Sequence, residues 1–381
     1  MRINIIGAGP AGLYAAILLK RMRPDLKVQV FEQNAPEATF GFGVVFSDQA
    51  LDFLRADDPE TADLIAPHMQ HWENIVVCHR GERIVIDGIG FAGIGRLALL
   101  RLLQDRAAEV DITPAYNQRI ATAEALGDAD LVIGADGLNS IVRRSAPRAF
   151  GESLRHLGNR FVWYGTPRNF EALTQTFIET DYGPMNAHHY SYSPDHATFI
   201  IEMGPETFDQ TGFATMSEPA YRKSCERLFE DALSGAPLIP NQSLWRRFPN
   251  LSCSKWFDGN RVLVGDALHT AHFSIGSGTR LAMEDVIALV AALRATNWDI
   301  KQALPAYQAA REPVLRKIVR AAQQSGDWYE DFGAHMALDP DRFALSYIRR
   351  AGRLDADRLA RLAPKFAARL KAKGLTLEKV A

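Results

Sequence analysis

Gly7, Gly9 and Gly12 stand at the spacing Gly-x-Gly-x-x-Gly, between the apolar run Ile3–Ile6 and a helix-periodic run from Ala11 to Arg21. In that setting Gly7 permits a tight turn, Gly9 lets the backbone approach a pyrophosphate, and Gly12 lets helix and strand pack closely. Pro10 and Ala11 open the helix, whose free N–H groups and dipole favour an anion. Glu32, with Gln33 beside it, lies about 20 residues further on at the end of a second apolar run, where a carboxylate can accept from a ribose hydroxyl. Two more stretches carry a glycine and an aspartate after short apolar runs: Gly134-Ala135-Asp136-Gly137 and Gly265-Asp266-Ala267. A strand-end carboxylate such as Asp266 can accept from polyol hydroxyls. Alone, Asp136 and Asp266 read equally well as turn or capping residues. In this order, the three stretches bracket a ligand much longer than a nucleotide.

A second group could handle protons. His188, His189 and Tyr190 are consecutive, and His272 follows the third stretch. Histidine titrates near neutrality, so any of these could polarise a hydroxyl or amine on a substrate. The plainer alternative is a strand or buried histidine satisfied by its neighbours. Trp163, Tyr164 and Phe177 suit an aromatic pocket or ordinary core packing.

Placing these groups requires an opening β-α-β unit, with strands at Ile3–Ile6 and Val28–Phe31. A hairpin is expected over Ile75–Cys78 and Arg83–Asp87, and a helix over Gly93–Ala108. Leu131–Ile133 and Arg261–Val264 read as strands running into the second and third stretches, with a helix over Arg280–Arg294. From about 151 to 259 aromatics become dense and Thr198–Met203 has strand composition, so a sheet-rich insert carrying a pocket is expected. The fold class is α/β: a Rossmann-like domain built from 1–70, 91–150 and 258–330, a sheet domain from 71–90 and 151–257, and C-terminal helices over 331–381.

The chain has 381 residues and a net charge of −2, which argues against nucleic acid as a partner and gives no reason for a membrane surface. Its three cysteines, Cys78, Cys225 and Cys253, form no paired motif, so no disulfide framework or metal site is expected and a reducing cytoplasm is the expected home. The basic residues Lys365, Arg369, Lys371 and Lys373 read as a solvated helix face.

The stretch from Leu131 to Arg143 resembles the second fingerprint of the aromatic-ring hydroxylases, the single-component flavoprotein monooxygenases, and Arg261 to His269 resembles their third. Together with the glycine turn, the resemblance covers about residues 1–320. It implies a para-hydroxybenzoate hydroxylase-like FAD fold in which Asp266 binds the ribityl chain and Arg96 lies near the FAD. Val45, Gly276, Gly278 and Thr279 would lie beside the flavin ring, where helix N–H groups stabilise its reduced form. Phe273 and Arg280 replace the usual proline and asparagine of the third region. His272-Phe273-Ser274-Ile275-Gly276, Gly41-Phe42-Gly43 and Trp163-Tyr164-Gly165-Thr166 instead resemble a subgroup acting on aryl-CoA thioesters or on a tryptophan-like compound. Phe273 and Ser274 join Trp163 and Tyr164 as pocket candidates.

The implied reaction is NAD(P)H reduction of FAD, addition of O2 at the flavin C4a position, and delivery of an OH⁺ equivalent from the hydroperoxide to an aromatic ring. The expected substrate is an aryl-CoA thioester such as salicylyl-CoA or 2-aminobenzoyl-CoA, with a free aromatic or indole compound as the alternative. A flavin dehydrogenase or reductase without oxygen insertion, or a redox module, remains open. The protein is expected to be a monomer or homodimer. Arg160, Arg168, Arg246, Arg247 and Lys255 are available to a CoA tail, although nothing local shows that they converge. His269 and Arg280 read as supporting residues.

Overall fold

A computed structural model describes residues 1–47, 51–122, 125, 128–352 and 354–375. Positions 48–50, 123, 124, 126 and 127 of the expected Rossmann-like segments, and 353 and 376–381 of the expected tail, lie outside them. In chain order the strands are β1 (Arg2–Ile6), β2 (Lys27–Phe31), β3 (Gly43–Ser47), β4 (Gln70–Trp72), β5 (Ile75–His79), β6 (Glu82–Ile86), β7 (Phe91–Gly95) and β8 (Leu131–Gly134). They continue as β9 (Glu152–Thr166), β10 (Leu173–Thr180), β11 (Gly183–Ser191), β12 (Ala197–Met203), β13 (Ile239–Pro240), β14 (Arg246–Cys253), β15 (Phe257–Asp258) and β16 (Arg261–Leu263).

Five strands form a sheet in the order β15-β16-β8-β1-β2, parallel except for β15. β8 is buried along its whole length and β1 from Ile3 onward, as a parallel sheet covered on both faces requires. The helix Pro10–Met22 is the crossover from β1 to β2 and is buried from Ala11 to Leu19. Such burial follows from its position between the sheet and the helices Arg96–Ala108 and Gly278–Ala295. The glycine turn, Asp136 and Asp266 all follow strands of this one sheet and so emerge at the same carboxyl edge.

The larger sheet runs β13-β9-β12-β11-β10-β5-β6, with β14 also on β9. The hairpin β5–β6 joins it through parallel pairing of β5 with β10. Side chains alternate between its faces. Val162, Tyr164, Ala187, Phe199 and Ile201 face a core closed by the helices Pro205–Thr211 and Glu218–Leu228. Composition alone does not reveal those helices inside the insert. Phe177, on the other face, packs with Trp328, Phe343 and Tyr347 from the C-terminal half of the chain. The tail is held down by Asp87, which accepts from the backbone N–H groups of Lys365 and Phe366, and by Asp341, which pairs with Arg369 and Lys373.

A third sheet, β3-β7-β4, corrects the helix expected from Gly93. Residues Phe91–Gly95 pair as β7, and the helix begins at Arg96. A Cβ at Gly93 would lie 2.7 Å from the Trp72 ring, so the close pairing needs glycine there. No helix among the described residues is long and apolar enough to cross a membrane.

A Cβ at Gly12 would lie 1.9 Å from the Gly7 carbonyl oxygen. Gly12→Ala is therefore expected to destabilise the protein by about 1–3 kcal/mol, measured as a lowered Tm. An unchanged Tm would show that helix and turn do not pack this closely.

Candidate functional site

A cavity of about 900 Å³ runs from the glycine turn to the aromatic face of the larger sheet. At one end Gly7, Gly9, Pro10, Ala11, Glu32 and Gln33 line it. No side chain caps the helix Pro10–Met22, so its leading N–H groups remain for a ligand. A Cβ at Gly9 would meet nothing within 4 Å, which leaves room for a phosphate against the backbone. Glu32 also fixes the turn: Oε2 accepts from Ala8 N–H at 2.9 Å, and Oε1 accepts from the Asn34 backbone and side-chain amides at 2.8 and 2.7 Å. Gly12 lies behind the turn instead of lining the cavity.

Asp136 and Gly137 line the middle of the cavity. Asp136 Oδ2 accepts from Ile141 N–H at 2.7 Å, while Oδ1 is buried without a partner and burial raises the carboxyl. The buried Arg143 donates to the carbonyls of Leu138 and Ala267 and pairs with Glu152, tying the second stretch to the third.

Asp266 is exposed to the cavity, and desolvation by the surrounding protein raises its carboxyl against the pull of His269 and Arg96. Gly265 and Ala267 do not line the cavity; they are buried supports. The Gly265 N–H donates to Asp285 Oδ2 at 3.1 Å, His269 Nε2 contacts the same oxygen at 2.8 Å, and Arg311 Nε donates to Oδ1 at 2.9 Å. Burial alone would raise the Asp285 carboxyl, but His269 and Arg311 outweigh it and hold it below its usual value. His269 is thus a supporting residue of the turn. Arg280 is half-buried and pairs with Glu284 at 2.7 Å, which also holds Arg311.

Arg96 lies on the cavity wall near Asp266, and its guanidinium has no hydrogen-bond or ion-pair partner among the described residues. Val45, Gly276, Gly278 and Thr279 line the next section. Gly276 adopts φ +59°, and a Cβ there would come 3.0 Å from Val45. The helix Gly278–Ala295 has no side-chain cap, so its first N–H groups are also available. Uncapped helix starts, an orphaned Asp136 oxygen, an unpartnered Arg96 and open backbone at Gly9 together fit a long dianionic cofactor of the FAD type.

At the far end the wall is Phe161, Trp163, His188, Tyr190, Phe273 and Ser274. His188 is buried, with Nε2 3.3 Å from Glu202 Oε2, and Glu202 also accepts from Asn159 at 3.0 Å. Burial, with Arg350 nearby, pushes His188 down to about 3, and burial raises Glu202. Tyr190 donates its hydroxyl to Gly43 O at 2.9 Å, so it braces β3. His272 lies behind the wall: its ring stacks on Phe273 at 4.3 Å and Nδ1 contacts Ser274 Oγ at 2.8 Å, which contacts Ser325 Oγ at 2.7 Å.

Two candidates are corrected by strand alternation. Tyr164 and His189 project from the opposite face of the sheet to Trp163 and His188, so neither lines the cavity. The basic residues available to a CoA tail are scattered. Arg160 bonds to Gly158 O, Arg168 to Ser234 and Arg247 to Leu157 O; of the five, only Arg246 lines the cavity. Sequence reading misses Gln175, Tyr347 and Arg350, which also line the aromatic end. Residues 347 and 350 sit in a charged helical tail with no local signal to single them out.

Residues 103–322 match a family described as an FAD binding domain, and residues 5–36 match an NAD(P)-binding Rossmann-like domain. Salicyloyl-CoA 5-hydroxylase from a Streptomyces species is 39% identical over 92% of this chain and 70% of its own length. A 3-hydroxy-4-methyl-anthranilyl-[aryl-carrier protein] 5-monooxygenase from Streptosporangium sibiricum is 36% identical over 86% of this chain and 89% of its own. Protodeoxyviolaceinate monooxygenase from Chromobacterium violaceum is 31% identical over 92% and 94%. Among solved structures, a mutant of 2-methyl-3-hydroxypyridine-5-carboxylic acid oxygenase shares the fold, with a TM-score of 0.73 and 18% identity over 92% of this chain and 96% of that one.

His189 stacks on Phe199, contacts Thr176 Oγ1 at 2.9 Å, and is pushed down to about 3 by burial, with Arg168 and His188 adding to the shift. The unfolded chain binds a proton near pH 6.5 that the folded chain refuses, so stability falls as pH drops through that window. His189→Gln should remove about 1.4 kcal/mol per pH unit of this acid loss between pH 6 and 4. Denaturant unfolding of both proteins across that range measures it. Equal slopes would contradict a neutral buried ring.

Proposed function

The chain belongs to the FAD-dependent aromatic-ring hydroxylases, and within that family we propose that it hydroxylates an aromatic ring carried as a thioester. It is a flavoprotein monooxygenase that uses FAD, NAD(P)H and O2. The observation carrying the thioester reading is that two relatives, 39% and 36% identical over most of the chain, are named for a CoA-linked and a carrier-protein-linked ring. The cavity rim agrees with it. Exposed Phe40, Leu244 and Arg246 lie at the rim, and Asn241 ties the two loops there by donating to Thr39 O and Gly41 O. Exposed apolar side chains beside the Arg246 cation suit an acyl arm leading outward.

Bound FAD would supply the redox chemistry, carrying electrons from NAD(P)H to O2. The rest is done by side chains and backbone of this chain. The N–H groups after Gly9 take the pyrophosphate, Glu32 the adenosine ribose and Asp266 the ribityl hydroxyls, with Arg96 and the start of the helix Gly278–Ala295 beside the ring. Phe161, Trp163 and Phe273 hold the aromatic guest and exclude water. Glu202 fixes the His188 ring through Nε2, which leaves the neutral Nδ1 to accept a hydrogen bond from a ring hydroxyl or amine. His272, through Ser274 and Ser325, positions Phe273. In this reading the segments 1–70, 91–150 and 258–330 serve the cofactor, 71–90 and 151–257 the substrate, and 331–381 closes the pocket. The enzyme works in the cytoplasm as a monomer or homodimer.

Oxygen-electrode and NAD(P)H-oxidation assays with aromatic acids and their CoA thioesters test the proposal. Thioesters are expected to stimulate oxidation and the free acids to leave it near its unstimulated rate. Stimulation by free acids or by an indole compound alone would overturn the thioester reading. His188→Phe is expected to retain FAD and lose about 10-fold in kcat/KM, as one lost hydrogen bond allows. An unchanged kcat/KM would remove His188 from substrate binding.

A further inference from the structure

Arg350 follows the helix Pro340–Arg349 and reaches back to the aromatic end of the cavity. One terminal nitrogen donates to Tyr347 O at 2.8 Å and the other to Ser274 O at 3.0 Å. The guanidinium carbon sits 3.9 Å from the centroid of the Tyr347 ring. These contacts hold the fork in one orientation. Its Nε is nevertheless buried without a hydrogen-bond partner, and among the described residues Arg350 forms no ion pair. A fixed cation on the wall of an apolar pocket, with no anion against it, is unfavourable until an acceptor reaches it.

The groups that face this region from neighbouring elements do not supply a free negative charge. Burial, followed by the charge of Arg350, pushes His188 down to about 3. Burial also pushes His272 down to about 4, where the pull of Glu202 is outweighed. Glu202 is engaged by His188 and Asn159, and burial raises its carboxyl. The Tyr329 and Tyr347 hydroxyls are raised by burial, so both stay protonated. A neutral hydrocarbon ring would leave the cation unpaired; a ring bearing an oxygen would not.

We propose that Arg350 determines specificity by donating from its guanidinium to an oxygen substituent on the aromatic ring and by favouring that oxygen in its ionised form. The proposal rests on the hydroxylase reading and names the substituent that its substrate carries. An ionised ring oxygen is also the electron donor that an electrophilic hydroxylation needs. The same donor would accept the carboxylate of a free aryl acid, so the test separates the two sources.

Benzoyl-CoA, 2-hydroxybenzoyl-CoA, benzoate and 2-hydroxybenzoate are titrated into the FAD-loaded wild type, R350K and R350M, with Kd read from flavin absorbance. Phenolate absorbance against pH reports the ionisation of the bound hydroxyl. The wild type is expected to favour 2-hydroxybenzoyl-CoA over benzoyl-CoA by about 10-fold or more, as a charged hydrogen bond allows. R350M should bring that ratio to about one and shift bound-phenol ionisation to higher pH, with R350K between the two. An unchanged ratio, an equal loss for both thioesters, or an unmoved ionisation overturns the proposal. If R350M fails to hold FAD, R350K decides by the same ratio. If only free acids bind the wild type, the thioester reading falls. The 2-hydroxybenzoate to benzoate ratio then judges Arg350: collapse in the variant supports it and persistence overturns it.

Discussion

One buried carboxylate sets the geometry of the site. Asp285 takes the Gly265 N–H, His269 Nε2 and Arg311 Nε, so a strand-end turn and two long helices meet at a single charge. A buried ion costs several kcal/mol unless donors satisfy it, and removing one partner is more damaging than never having had the pair. Here each oxygen is engaged. The turn at Gly265, with φ +59°, is therefore held in a shape that few residues other than glycine adopt, and Asp266 is turned outward as a result. Arg143 extends the constraint by bonding to carbonyls of the second and third stretches. Cavity-lining groups that are far apart in sequence become one rigid edge.

The aromatic end depends on a different constraint, the two-residue alternation of a sheet. Adjacent residues on β9 and β11 serve opposite purposes: Trp163 and His188 face the cavity, while Tyr164 and His189 face a sealed core. The helices inside the insert cover that core, so the cavity face alone stays open. The C-terminal helices cover part of the same face and bring in Tyr347 and Arg350. The pocket thus needs the end of the chain as much as the sheet.

What the sequence reveals follows from how local each constraint is. The glycine turn is readable because its demands, a positive φ and a close approach, act within a few residues of a strand and a helix start. Asp266 is readable from its motif, yet the partner that aims it, Asp285, lies 20 residues from Gly265 on a helix and carries no motif of its own. Tyr164 and His189 cannot be sorted from Trp163 and His188 without the strand register. Gly93 reads as helix because leucine-rich periodicity follows it closely, whereas pairing of β7 with β3 and β4 overrides local preference. Arg350 is invisible in sequence, since its role depends on a tertiary approach to Ser274 across the fold.

The most direct measurement is a crystal structure of the FAD-loaded protein with an aromatic thioester bound. The account predicts FAD extended from Glu32 past Asp266, its ring beside Gly276 and Thr279, and the aromatic guest between Phe273, His188 and Arg350. Flavin lying elsewhere, or an aromatic ring seated away from that wall, would contradict it.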